Sequence, residues 1–221
     1  MFQEVSVLLK KEITIELRQK YALNGILLYL AGTVFICYLS FNLQSYQLNP
    51  ITWNALFWII MLFTAISAVA KSFLQESPGK LMYYYTITSG QSFITAKIIY
   101  YSLLLILLGI IGYGLYGFVL GNPVENPGLF VLTITLGSIG MASTLTLVSS
   151  IASKAQNNQT LLAVLGLPIL IPVLLMSIKI SKNAMDGLAW SDSYQELAVI
   201  CSIDAIVCSL AIILFPYIWR S

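Results

Sequence analysis

The chain of 221 residues is 58% hydrophobic and only 9% charged, and its mean hydropathy is +0.87. A soluble domain carries about 25% charged residues, so this composition excludes a soluble globular protein and indicates one embedded in lipid. The net charge of +2 is too small to indicate nucleic-acid binding, and histidine is absent, which removes the commonest metal ligand and general base.

The N-terminal segment, residues 1–20, is predicted to be a cytoplasmic amphipathic helix that lies in the membrane interface. Apolar residues recur there at three- and four-residue spacing, at Phe2, Val5, Leu9, Ile13 and Leu17. Lysines and arginines accompany this stripe, as is typical of interfacial helices. The alternative is a cytosolic helix packed on other protein.

Residues 21–221 are predicted to form a transmembrane domain of six helices, which makes the fold all-α and integral to the membrane. Each of six apolar runs reaches the roughly 20 residues that a spanning helix needs. Runs of this length must be helical in lipid, because the backbone has to satisfy its own hydrogen bonds. The predicted spans are Tyr21–Phe41, Ile51–Ala70, Ile98–Leu120, Leu129–Ile151, Leu161–Lys179 and Leu197–Ile218.

Positive charge is divided unequally between the two sides of these spans. With six spans, both chain ends lie on one side, and nine of the lysines and arginines fall there. Only Lys179 and Lys182 fall on the other side. The positive-inside rule therefore places both termini in the cytoplasm.

The longest interruption between spans is the cytoplasmic loop 71–97, which separates spans two and three. It joins a Ser-Pro-Gly turn to an apolar and aromatic run. Such residues suit a surface that binds another protein, and the candidates are Glu76, Gly79, Leu81, Met82, Tyr83, Tyr84 and Tyr85. The alternative is that the tyrosines only anchor the loop among lipid headgroups.

Span five contains two prolines, Pro168 and Pro172, close to Gly166. Each proline removes a backbone hydrogen bond and crowds the preceding turn of the helix. The sequence therefore predicts either a static kink or a hinge beside a substrate path.

Asp204 is the acidic residue that falls well inside a predicted span. An ionisable group in lipid is costly, so a functional role is the default hypothesis. The alternative is a structural one, in which Asp204 reaches solvent or pairs with Lys179 or Lys182.

Glycines crowd spans three and four, where small residues let neighbouring helices approach closely. We expect them to serve packing within the chain rather than a dimer contact. The glycines concerned are Gly109, Gly112, Gly114, Gly117, Gly121, Gly137 and Gly140.

Catalytic patterns are missing from the sequence. It has no Gly-x-x-x-x-Gly-Lys-Ser/Thr phosphate-binding loop and no histidine for a nucleophilic triad. We therefore expect a protein that is not an enzyme and that does not itself hydrolyse ATP.

The layout of an N-terminal helix, six spans and a long cytoplasmic loop between spans two and three resembles an ABC-2-type exporter permease. More narrowly, the chain resembles the CcmB family, the membrane subunit of the bacterial cytochrome c maturation (haem exporter) complex. The resemblance rests on the double-proline segment 167–172, on Ala96-Lys97 at the entry to span three, and on Phe73 with Glu76 in the loop. Size and span spacing match along the whole chain.

The resemblance implies a bacterial inner-membrane permease subunit, homodimeric in its complex. A separate CcmA-like ATPase docks on loop 71–97 and drives haem export or release of the haem-loaded chaperone. It also implies CcmC-, CcmD- and CcmE-like partners, with haem as cargo, ATP on the partner and no cofactor on this subunit. The alternatives are an ABC-2-type exporter of a drug, lipid or polysaccharide, and a non-transporting membrane scaffold.

Overall fold

The computed structural model describes residues 2–19, 21–42, 49–69, 88–153 and 158–220, and these ranges are helical throughout except for short turns. The helices are α1 (Phe2–Gln19), α2 (Tyr21–Asn42), α3 (Pro50–Val69), α4 (Gly90–Leu120), α5 (Pro127–Ala152), α6 (Asn158–Met185) and α7 (Tyr194–Arg220). A short 3-10 helix, Trp190–Ser193, precedes α7.

The six helices α2 to α7 are long and apolar enough to cross a membrane. They confirm the prediction of an all-α integral membrane protein, and each of them contains one predicted span almost entirely. The interior of each helix follows from its apolar run. The ends depend on local caps, such as Asn126, whose side chain accepts a hydrogen bond from the backbone N–H of Leu129, 3.2 Å away. Pro127 follows at the first helical position, where its missing N–H costs nothing.

Helix α4 is the longest element, with 31 residues. At about 1.5 Å per residue it measures roughly 46 Å, which exceeds the hydrocarbon thickness of about 30 Å. It begins at Gly90 rather than at the predicted span boundary of Ile98, so the last part of the predicted 71–97 loop is helical. Helix α4 is therefore longer than one membrane crossing requires.

Helix α5 occupies the centre of the bundle and packs against α3, α4, α6 and α7. In its span 72% of the residues are buried, compared with 17% for α2. The close contacts are made at glycine: a Cβ on Gly137 would lie 2.8 Å from Trp58 of α3 and from Ser177 of α6. A Cβ on Gly109 of α4 would lie 2.6 Å from Ile134 of α5. These glycines serve packing within the chain, as predicted.

A buried polar contact joins the N-terminal part of α3 to the C-terminal part of α6. The side chain of Asn54 donates a hydrogen bond to the backbone oxygen of Ile178 at 2.9 Å. The hydroxyl of Ser181 donates to Asn54 at 2.7 Å, and the indole N–H of Trp58 donates to the same hydroxyl at 2.9 Å. Hydrogen bonds of this kind fix the register of two helices in lipid, where packing alone is only weakly directional.

Helix α1 packs on the bundle along one face. Val5 and Leu8 contact a small apolar cluster that includes Phe93 and Ile94 of α4. Other residues of the same stripe are exposed, Phe2 by 90% and Ile13 by 39%. The predicted apolar stripe is thus divided: part of it contacts protein, as in the alternative interpretation, and part faces outward. Placement of α1 in the membrane interface stays a prediction.

Candidate functional site

The carboxyl group of Asp204 lies where α5, α6 and α7 meet. Asp204 is 6% exposed and lies about ten residues, or roughly 15 Å, from the N-terminal end of α7. It packs against Gly140 of α5, where any Cβ would collide first with Asp204 Oδ1 and then with Val173 of α6 at 2.8 Å. Gly140 therefore provides the space that this carboxyl group occupies.

Both oxygens of Asp204 are buried without a hydrogen-bond partner in the part of the chain that the structure describes. The structural alternative predicted from the sequence is wrong, because Asp204 does not reach solvent. Lys179 instead forms an ion pair with Glu196, with Nζ and Oε1 2.8 Å apart. Lys182 is exposed at the outer end of α6. A buried polar group of this kind costs free energy unless something pairs with it.

Hydroxyl groups lie on the same face of α5 as Gly140. Ser143 and Thr144 follow it by three and four residues, a spacing that puts them on one side of a helix. Ser143 donates to the backbone oxygen of Gly140 at 3.1 Å, whereas the buried hydroxyl of Thr144 has no partner among the described residues. These hydroxyls therefore lie about one helical turn from Gly140, against which Asp204 packs.

A second polar cluster lies in the N-terminal part of α4. Lys97 is 2% exposed, and its Nζ lies 3.6 Å from Glu12 of α1 and 5.2 Å from the ring centre of Phe93. Glu12 also pairs with Lys11 at 3.0 Å. A buried ammonium group needs such partners, since desolvation otherwise outweighs its interactions. In the sequence, Lys97 contributes to the count of positive charges and, with Ala96, to the family resemblance. Its pairing with Glu12, far away in the chain, has no local signal.

One residue joins the end of the loop to α1 as well as to α4. Ser89 caps α4 by accepting a hydrogen bond from the backbone N–H of Ser92 at 3.3 Å, and it donates to Glu4 at 3.1 Å. Hydrogen bonds from Ser92 and Ser89 lower the pKa of Glu4. Because the folded-state pKa is lowered, this stabilisation is complete at neutral pH and is lost as the pH falls through that pKa.

The docking residues predicted in the loop, from Phe73 to Tyr85, lie outside the described residues, which resume at Thr88. Their contact with a partner therefore stays a prediction. The described residues that follow this loop in the sequence form the capped start of α4, which is attached to α1.

The double-proline segment lies in α6, which continues as a helix through both prolines. Gly166 is buried against α5, whereas Pro168 is exposed and Pro172 is partly exposed. The next residue, Val173, packs beside Asp204 and Gly140. Along α6, the prolines therefore come directly before the residue that packs beside Asp204. Their role as a hinge stays a prediction.

A resident metal centre finds no support in the described ranges, where no three His, Cys, Asp or Glu side chains come together. In comparisons with known proteins, no curated protein matches the chain. A family model described as CcmB protein matches residues 3–218, which is almost the entire sequence. The chain therefore belongs to the CcmB family, and it is a membrane component of the haem ABC transporter of cytochrome c maturation.

Proposed function

We propose that this chain is the permease subunit on which a separate, CcmA-like ATPase docks, and that α4 transmits the movement of that ATPase into the membrane. Segment 71–87 and the capped start of α4 would together receive the partner. ATP hydrolysis would then drive haem export or the release of a haem-loaded chaperone.

The observation that supports this proposal best is the continuity of α4. The helix begins at Gly90, directly after the proposed docking segment, and runs without a break to Leu120. Because the i→i−4 hydrogen bonds make a helix stiff, a force applied at Ser89 displaces the whole element rather than one turn. Helix α4 packs against α5, so the displacement reaches the centre of the bundle.

Helix α1 would support the part of α4 that receives the force from the ATPase. The contacts Glu4–Ser89 and Glu12–Lys97 lie about two turns apart and attach α1 to the cytoplasmic part of α4. Val5 and Leu8 add apolar contact between these two points. An ATPase that moves the start of α4 would therefore also move α1.

The proposal includes location, orientation and partners. We place the chain in the bacterial inner membrane with both termini in the cytoplasm, since nine of its positive side chains lie on that side of the spans. CcmC-, CcmD- and CcmE-like proteins and a second copy of the chain would complete the complex. The lack of histidine favours haem as a cargo over haem as a resident cofactor of this subunit.

The docking claim is tested by replacing Tyr83, Tyr84 and Tyr85 together with Ala in the co-expressed complex. We expect the ATPase to be lost on purification through this chain, because its aromatic contacts are gone. Tyr194→Ala is the matched control, since Tyr194 is 64% exposed at the other end of the bundle. Unchanged recovery of the ATPase with the triple variant would show that the tyrosines only anchor the loop in lipid.

The role of ATP is tested with an ATPase subunit that binds but does not hydrolyse it. If hydrolysis releases the chaperone, haem-loaded chaperone accumulates while holo-cytochrome c falls. If hydrolysis exports haem, the chaperone stays haem-free. Normal levels of holo-cytochrome c would contradict both roles of hydrolysis and would favour a membrane scaffold that needs no hydrolysis.

The cargo is tested in a strain that lacks this chain. Normal levels of holo-cytochrome c in that strain would favour a different cargo, such as a drug, lipid or polysaccharide.

A further inference from the structure

The Asp204 junction has a feature that ATPase docking does not require. A side chain that is 94% removed from solvent presents two oxygens with no hydrogen-bond partner in the described chain, near the middle of three spanning helices. In lipid such a group is expensive, so a functional role is the default hypothesis. We propose that Asp204 binds one small monovalent cation, a proton or Na⁺, between α5, α6 and α7.

The geometry favours a cation over any larger ligand. The carboxyl group packs directly against the backbone of Gly140 and beside Val173, so the space around it is no wider than one missing side chain. A proton or Na⁺ neutralises the carboxylate without needing a pocket. Neutral oxygens for Na⁺ are available on this face of α5 at Ser143 and Thr144, and the latter lacks a partner of its own among the described residues.

The neighbouring helices do not supply a compensating charge at this depth. Helix α5 contains no charged residue. Besides Asp204, the charged and thiol groups of the other helices around the junction are Lys97 of α4, Lys179 and Lys182 of α6, and Glu196, Cys201, Cys208 and Arg220 of α7. Cys201 is exposed. Lys97 pairs with Glu12 at the cytoplasmic end, and Lys179 pairs with Glu196 at the outer end. Cys208, one turn from Asp204, is neutral as a thiol.

The bound cation has a mechanical consequence. With its charge neutralised, the Asp204 side chain tolerates contact with Gly140 and Val173. Without the cation, the charged carboxylate becomes more stable if α7 moves away from α5 and lets water reach it. Val173 directly follows Pro172, so the helix that lines the site has lost a backbone hydrogen bond one residue earlier. Cation binding would thus set the separation of α7 from α5.

The first test measures the apparent Tm of the complex in lipid nanodiscs. One series varies pH in choline buffers, and the other varies Na⁺ against choline at constant pH. Binding to the folded state should raise Tm by about 3–5 °C for each tenfold increase in the cation that binds. Asp204→Asn should remove that response, while Asp186→Asn, at an exposed outer turn, should keep it. Equal responses in wild type and Asp204→Asn would overturn the proposal.

A second measurement does not depend on a variant that folds. Dicyclohexylcarbodiimide modifies protonated carboxyl groups in apolar surroundings, and mass spectrometry of the wild-type complex reports the modified residue. A bound proton predicts labelling of Asp204 that declines as pH rises. Bound Na⁺ predicts labelling that Na⁺ suppresses at constant pH and choline does not. Labelling that responds to neither cation, or no labelling under any of these conditions, would contradict cation binding at Asp204.

Discussion

At the scale of single residues, Asp204 and Lys97 show two ways of placing an ionisable group inside this protein. Lys97 is buried with partners, since Glu12 and the ring of Phe93 both face its ammonium group. Asp204 is buried against the backbone of Gly140, and its carboxyl oxygens have no hydrogen-bond partner in the described ranges. The first charge is compensated within the fold. The second is the position at which we propose that a cation binds.

Gly140→Ala should destabilise the bundle, because the added methyl group collides with Asp204 and Val173. Overpacking of a tight interior costs about 1–3 kcal/mol. Gly114→Ala is the matched control, because a Cβ there meets nothing within 4 Å. Thermal unfolding of both variants in nanodiscs gives the comparison, and equal Tm values would show that the contact at Gly140 relaxes freely.

Glu12→Gln should loosen α1 from α4, because it removes the charge that faces the buried Lys97. We expect a loss of about 1–3 kcal/mol, with faster amide hydrogen exchange in α1. Lys11→Gln is the control, since Lys11 is more exposed and its ion pair is worth about 0–1 kcal/mol.

A double variant separates the buried charge from the pair. Adding Lys97→Met to Glu12→Gln removes the uncompensated ammonium group, so part of the lost stability should return. A double variant less stable than Glu12→Gln alone would mean that Lys97 acts through its other contacts.

At the scale of elements, α4 shows where sequence reasoning succeeds and where it stops. Its apolar part was predicted, because hydropathy is a local property of the chain. Its polar first turns, from Gly90 to Lys97, were assigned to the loop. They are helical because Ser89 caps them and because α1 covers Phe93 and Ile94, a contact that depends on a distant segment.

Ser89→Ala should fray the start of α4. The variant loses the cap to the backbone of Ser92 and the hydrogen bond to Glu4, and loss of a cap costs about 1 kcal/mol. We expect faster amide exchange at Ser92 and Phe93, with little change in Ser202→Ala, an exposed serine of α7.

Ser89→Asp tests the two roles of Ser89 apart. Aspartate also caps a helix, but here it repels Glu4. Amide exchange should therefore stay slow in α4 and become faster in α1. Faster exchange in both helices would show that the cap and the contact with Glu4 are inseparable.

At the scale of the whole molecule, the number of spans was predictable from the sequence and their arrangement was not. Burial of α5 on every side depends on which faces of α3, α4, α6 and α7 meet it. The partners of Gly137 and Gly140 are set by these contacts, so glycine content indicated close packing without naming a neighbour. For the same reason, only the structure could show that Asp204 is buried without a hydrogen-bond partner among the described residues.

Orientation can be tested with single cysteines in a chain whose native Cys37, Cys201 and Cys208 are replaced by Ala. Asn122→Cys, on an exposed outer turn, should react with an impermeant maleimide in spheroplasts. Lys10→Cys, on the exposed side of α1, should react only after lysis. The reverse pattern would invert the topology and remove the docking loop from the cytoplasm.

The burial of α5 also bears on how the protein is assembled. Its interior faces carry hydroxyls that include Ser138, Thr144 and Thr146, which have no partner among the described residues. Alone in a bilayer, this helix would present those groups to lipid on all sides. Release of α5 from the insertion machinery should therefore wait for α6 and α7, so that the last half of the bundle enters the membrane as one unit.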